Sequence, residues 1–135
     1  MADPSLVDKK LAASFDLAAR LAKLGAPLLA AYWEWQEENG RWDLNLVPKS
    51  PADESELIKV ATEVLIEPPY RSVFSILDIA VNARQIERAR AIGAYLRGPE
   101  DLGRRFDTTF TGGYYFEGVI VIYVAPELAR QHHAA

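Results

Sequence analysis

Apolar residues recur at three- and four-residue steps through Val7, Leu11, Phe15, Ala18, Leu21 and Ala22, the period of an amphipathic helix. Asp3-Pro4 opens that helix with a side-chain cap and a proline in its first turn, and Gly25 followed by Pro27 ends it. Leu6, Leu17 and Leu24 lie partly off the stripe and widen the apolar face beyond what one sheet needs, so the pattern assigns them to a partner contact. The period then changes to two. Ala31, Trp33 and Trp35 share one face with Trp42, Leu44 and Leu46 across a hairpin turning at Asn39-Gly40, and the other face carries Tyr32, Glu34, Arg41, Asp43 and Asn45.

Ser50-Pro51 opens a second helix with an apolar stripe of Leu57, Val60, Ala61, Val64 and Leu65, which Pro68-Pro69 stops. Residues 72–81, SVFSILDIAV, are apolar on both alternating faces and predict a central strand covered on both sides. Asn82 with Gln85 reads as a capping box for a third helix that buries Ile86, Ala89, Gly93 and Leu96 and turns Arg84, Arg88 and Arg97 outward. A last hairpin, RRFDTTFTGGYYFEGVIVIYV, turns at Gly112-Gly113. The order is α-β-β-α-β-α-β-β. It predicts a single α+β domain over 1–135, with a five-stranded mixed sheet and helices packed on at least one face. Residues 126–135 form a tail, expected as frayed helix or disorder.

All three tryptophans fall within residues 33–42, which raises the question of a ligand platform. A platform would place them on the polar face of the hairpin, whereas the alternation places them on the apolar one, so they read as core.

Composition narrows the chemistry. Cysteine is absent, which excludes disulfides, thiolate metal sites and a cysteine nucleophile and fits a cytoplasmic location. The first residues lack the pattern of a signal peptide, and no stretch approaches the roughly 18 apolar residues of a membrane span. The formal net charge of -4 disfavours nonspecific attraction to nucleic acid or anionic lipid. Acids dominate from Glu34 to Glu67 and arginines from Arg84 to Arg105, a contrast that solvated helix faces account for.

The stretches AAYWEWQEENGRWDL, ILDIAV and TGGYYFEGVIVIY together resemble a widespread group of short uncharacterised bacterial α+β proteins. Val121-Ile122-Tyr123 departs from the Tyr-Ile-Tyr-like ending of that group. The resemblance implies the fold and carries no activity or site residues.

Candidate catalytic sets are sparse. His132 and His133, the only histidines, are adjacent in the tail, so neither a metal centre nor a serine–histidine–acid triad is expected, and no cofactor motif is present. Glu117-Gly118-Val119 lacks the lysine that a metal-nuclease acid-X-lysine pair needs. Asp78 and Glu117 stand among apolar neighbours, where a carboxylate is perturbed unless paired; Asp78 has Arg71 or Arg105 as candidate partners. Three functions follow in order of preference. The first is a non-catalytic interaction or assembly protein that self-associates or binds a protein partner through Leu6, Leu17 and Leu24. The second is a small enzyme using Asp78 or Glu117 with Arg104 or Arg105. The third is a nucleic-acid binder using the arginines from Arg84 to Arg105, which the overall acidity weakens.

Overall fold

The computed structural model describes residues 8–129. Helix α1 (Asp8–Lys23) leads into strands β1 (Leu28–Gln36) and β2 (Arg41–Pro48), helix α2 (Glu54–Leu65), the short helix α3 (Pro68–Arg71) and strand β3 (Ile79–Val81). Helix α4 (Ile86–Tyr95) follows, then β4 (Arg105–Phe106), β5 (Thr109–Thr111), β6 (Tyr114–Phe116) and β7 (Val119–Val124). One mixed sheet has the strand order β3-β2-β1-β7-β4, while β5 and β6 form a separate hairpin. β2 and β3 run parallel, and the other neighbours are antiparallel. The protein is therefore α+β with the five-stranded mixed sheet that the alternation implies.

The first hairpin has the expected faces, with a four-residue loop. Trp33 lies opposite Leu44 and Trp35 opposite Trp42, with residues 37–40 making the turn and Gly40 supplying a φ of 63°. Ala31, Trp33, Trp35, Trp42, Leu44 and Leu46 pack with residues of α1 and α2 in one core cluster. The Trp33 indole is fully buried and donates to Ser14 Oγ at 3.1 Å. That of Trp35 donates to Glu37 Oε1 at 2.7 Å. The tryptophans are a wall of the core.

The opposite face is covered as well. Tyr32, Glu34 and Asn45, which the alternation assigns to solvent, are buried. Tyr32 belongs to a second core cluster with Ile86, Ala89 and Ile92 of α4 and with Phe116 of the separate hairpin. Helix α1 is rotated from its expected stripe: Ser14, Leu17, Ala18 and Leu21 face the sheet, and Phe15 and Ala22 face outward. Two contacts set the rotation. Ser14 accepts the Trp33 indole, and the Phe15 ring lies over Gly103, where a Cβ would come within 2.8 Å of it. Leu17 is thus fully buried in its own chain's core and offers nothing to a partner, which corrects its assignment to an interaction surface. Leu24 is exposed; Leu6 and Asp3-Pro4 lie outside the described residues.

Residues 72–81 are not a central strand. Ser75 Oγ accepts from the Leu77 N–H at 3.2 Å and the Asp78 carboxylate accepts from the Ser75 N–H at 2.8 Å, a capping box that winds residues 76–78 into a 3-10 turn. Only Ile79–Val81 stay extended, at the sheet edge. One local side-chain bond and one long-range backbone bond divide the last hairpin. Thr109 Oγ1 donates to the Asp107 carbonyl at 2.6 Å, and Gly118 gives its carbonyl to the Trp35 N–H at 2.8 Å, so β4 and β7 join the main sheet while β5 and β6 bend away. Helix caps differ in detail too. Ser50 donates to Asp53 Oδ2 rather than capping α2, and Gln85 accepts the Tyr32 hydroxyl at 2.8 Å instead of completing a box with Asn82. Of the expected tail, residues 126–129 are helical, and the rest lies outside the described residues.

Candidate functional site: a groove beside an open sheet edge

Helix α2 carries more apolar surface than the sheet covers. Leu57, Ala61 and Val64 are buried, whereas Ile58 and Ile66 remain 44% and 65% exposed. Across from them stand Phe74, Ile79 and Val81, and a cavity of about 320 Å³ lies between. The size is at the lower end of small-ligand pockets. Because β2, α2 and β3 form a crossover between parallel strands, α2 runs back antiparallel to β3. The C-terminal end of α2 is therefore beside the start of β3, and the connection through α3 closes the groove there. Tyr70 of α3 is buried and donates to Asp16 Oδ2 of α1 at 2.6 Å, which fixes α3 against the first helix. The next residue, Arg71, is the one charged residue lining the groove, and Ser75 lies near it. Among the described residues no hydrogen bond or ion pair engages the Arg71 guanidinium.

The wall formed by β3 has hydrogen-bonding groups with no partner among the described residues. Ile79, Ala80 and Val81 pair with Leu44, Asn45 and Leu46, and the Asn82 N–H donates to the Leu46 carbonyl. Alternate residues of a parallel strand turn both backbone groups to the same neighbour. Asn82 and Ala80 therefore face β2, and the N–H and C=O of Ile79 and Val81 point away from the sheet. Their side chains line the groove, so an open backbone edge and an apolar floor lie together.

No protein family, curated protein or solved structure matches this chain.

The carboxylates and arginines singled out in the sequence are not brought together. Asp78 pairs with Lys10 of α1 at 3.0 Å, not with Arg71 or Arg105, and also holds the Ser75 N–H. Glu117 lies in the bend between β6 and β7 rather than in a strand, near Glu34 under the other face of the sheet. Arg104 approaches Asp101 at 3.5 Å and stacks on Phe106, while Arg105 binds Asp107 at 3.1 Å and lies over Trp42. Arg84 and Arg97 are exposed, and Arg90 is 3.9 Å from Glu87. Among the described residues no group of acids and histidines has the arrangement of a metal site.

Arg88 is the arginine that the helical period misplaces. It turns inward, forms a hydrogen-bonded ion pair with Glu34 of β1, and donates to the Tyr115 carbonyl at 3.2 Å. Its guanidinium lies 4.2 Å from the centroid of the Phe116 ring. One side chain thus ties α4, the sheet and the β5–β6 hairpin. Burial pushes the Glu34 carboxyl up to about 7; Arg88 draws it down, and Glu117 and Asp43 add to the rise. Burial likewise raises the Tyr32 hydroxyl. The sequence held one signal for this pair, a glutamate in an otherwise apolar and aromatic strand. The groove's signal was the exposed Ile58 and Ile66, which fall outside the α2 stripe.

Proposed function

We propose that this chain is a non-catalytic, cytoplasmic protein-interaction protein whose groove takes an extended apolar segment of a protein partner. One observation carries the reading: the outward backbone groups of Ile79 and Val81 border an apolar floor. A segment added beside β3 forms main-chain hydrogen bonds to that edge, and alternate side chains of the segment enter the groove between α2 and β3. The ladder supplies affinity and the pocket supplies selection. The dispersion of Asp78, Glu117, Arg104 and Arg105 supports this reading over the enzymatic one. The pairing of Arg88 with Glu34, of Arg90 with Glu87 and of Arg104 with Asp101 reduces the free positive charge that tracking a phosphate backbone requires. Among the described residues no helix is long and apolar enough to cross a membrane.

The test is a titration with short Val- and Ile-rich peptides, followed by amide chemical shifts. Binding should move residues 58–66 and 71–81 and spare α4. Ile66→Asp should weaken it strongly without lowering the melting temperature, because Ile66 is exposed. Shifts confined to another surface would overturn the reading. Dimerisation that Ile66→Asp dissolves would replace the separate partner by a second copy of this chain.

A further inference from the structure

We infer that the segment received by the groove is the C-terminal end of a polypeptide, its free carboxylate held by Arg71 and Ser75. The inference rests on the interaction reading above and names the partner's chemistry. The groove is asymmetric. At the end beside Ile58 and Val81 only a side chain crosses among the described residues, where Glu54 Oε2 of α2 accepts the Ala83 N–H at 2.8 Å. At the other, the α2-to-β3 connection closes it, and Arg71 and Ser75 stand there. An internal segment would have to climb over that connection to continue, whereas a chain terminus can stop against it.

Polarity follows from the same geometry. A strand antiparallel to β3 passes Val81 first and Ile79 afterwards, so its C-terminus arrives at the closed end. Arg71 is the only charge lining the groove and has no partner among the described residues, so an arriving carboxylate meets a cation with no competing acid in the lining. A guanidinium presents a planar fork of donors that matches a carboxylate. Ser75 Oγ already accepts the Leu77 N–H, which leaves its own hydrogen to donate to the same carboxylate. The apolar floor, set by Ile58, Leu65, Ile66 and Phe74, selects aliphatic side chains at the last residues of the peptide.

The experiment compares labelled peptides ending in Val, Ile, Leu or Ala as free acids and as C-terminal amides, by fluorescence anisotropy. The intact chain is used as wild type, Arg71→Gln and Ile66→Asp. Free acids should bind at least about tenfold more tightly than amides, the scale of a lost charge-assisted hydrogen bond. Arg71→Gln should erase that difference and leave amide binding unchanged, and Ile66→Asp should weaken both forms. N-methylation of the peptide amides that face β3 should weaken binding as well. Equal binding of acids and amides would overturn the carboxylate inference and leave strand docking standing. Failure of both forms to bind wild type would overturn both. Tight binding of dodecanoate, with peptide binding indifferent to N-methylation, would make this a fatty-acid pocket and overturn the inference.

Discussion

Desolvation on the covered face of β1 outweighs the attraction of Arg88 and leaves the Glu34 carboxyl with a folded-state pKa of about 7, against an ordinary value near 4.5. A carboxyl whose pKa rises on folding binds its proton more tightly in the native state. Its contribution to stability is therefore full below about 4.5 and is lost as pH rises toward about 7. The groups that face it are Arg88 from α4, Asp43 from β2 and Glu117 from the β6–β7 bend. Urea unfolding of wild type and Glu34→Gln across this window should show the wild type losing stability relative to the variant as pH rises. Parallel profiles would mean that Glu34 does not titrate on folding. Trp33 gives a second prediction at this scale. It is fully buried, is bonded to Ser14 and lies 6.3 Å from the Phe74 ring. Trp33→Ala should cost about 3–5 kcal/mol, read as the fall in unfolding free energy.

Among the elements, the β5–β6 hairpin is held to α4 by Phe116, by Arg88 and by the close approach of Gly112. Its φ is 58°, and a Cβ there would come within 2.8 Å of the Ala91 Cβ. Gly113 also has a positive φ, of 83°, but its added Cβ would meet nothing within 4 Å. Gly113→Ala should therefore cost only the left-handed backbone penalty, about 1–2 kcal/mol. Gly112→Ala should cost clearly more, because the hairpin must also move off α4; equal losses in denaturant titrations would refute this packing. The Gly112-Gly113 turn was legible in the sequence, as were the faces of the first hairpin and the burial of Ile86, Ala89 and Gly93 in α4, though not that of Ile92 or the inward turn of Arg88. Those features follow from local chemistry and period. What period cannot show is whether a face has a second layer over it. Glu34 and Tyr32 alternate correctly with the tryptophans, yet α4 and the hairpin, distant in sequence, cover them. Residues 72–78 failed for the opposite reason, since a capping box between Ser75 and Asp78 prevailed over β-branched propensity. Ile58 and Ile66 hinted at the groove's helix wall, but its other wall was illegible because it depends on which strand is at the edge, and strand order is a property of the assembled sheet.

For the whole molecule, the sheet order predicts a gradient of protection. β1 has β2 on one side and β7 on the other and core clusters on both faces, so its amides exchange only through the largest openings. The amides of Ile79 and Val81 have no ladder partner and should exchange fastest in the sheet, with Ala80 slower between them. Hydrogen exchange resolved by residue checks this alternation. Uniform protection along β3 would show that its outer edge is not open.

Placing β7 beside β1 also has a consequence for the chain's birth. During synthesis β1 and β2 emerge before α2, β3, α4 and the β5–β6 hairpin, and the neighbour that completes β1 follows all of them. Until residues 119–124 appear, the aromatic hairpin has one raw border and no finished layer on the Tyr32 side. Strand pairing of such high sequence separation is slow, and unpaired borders invite pairing between growing chains. Ribosomes that stall before Val119 would release a product unable to close its sheet. Such a product keeps the β7 side of β1 unpaired and its Tyr32 face unfinished, the two features that favour aggregation.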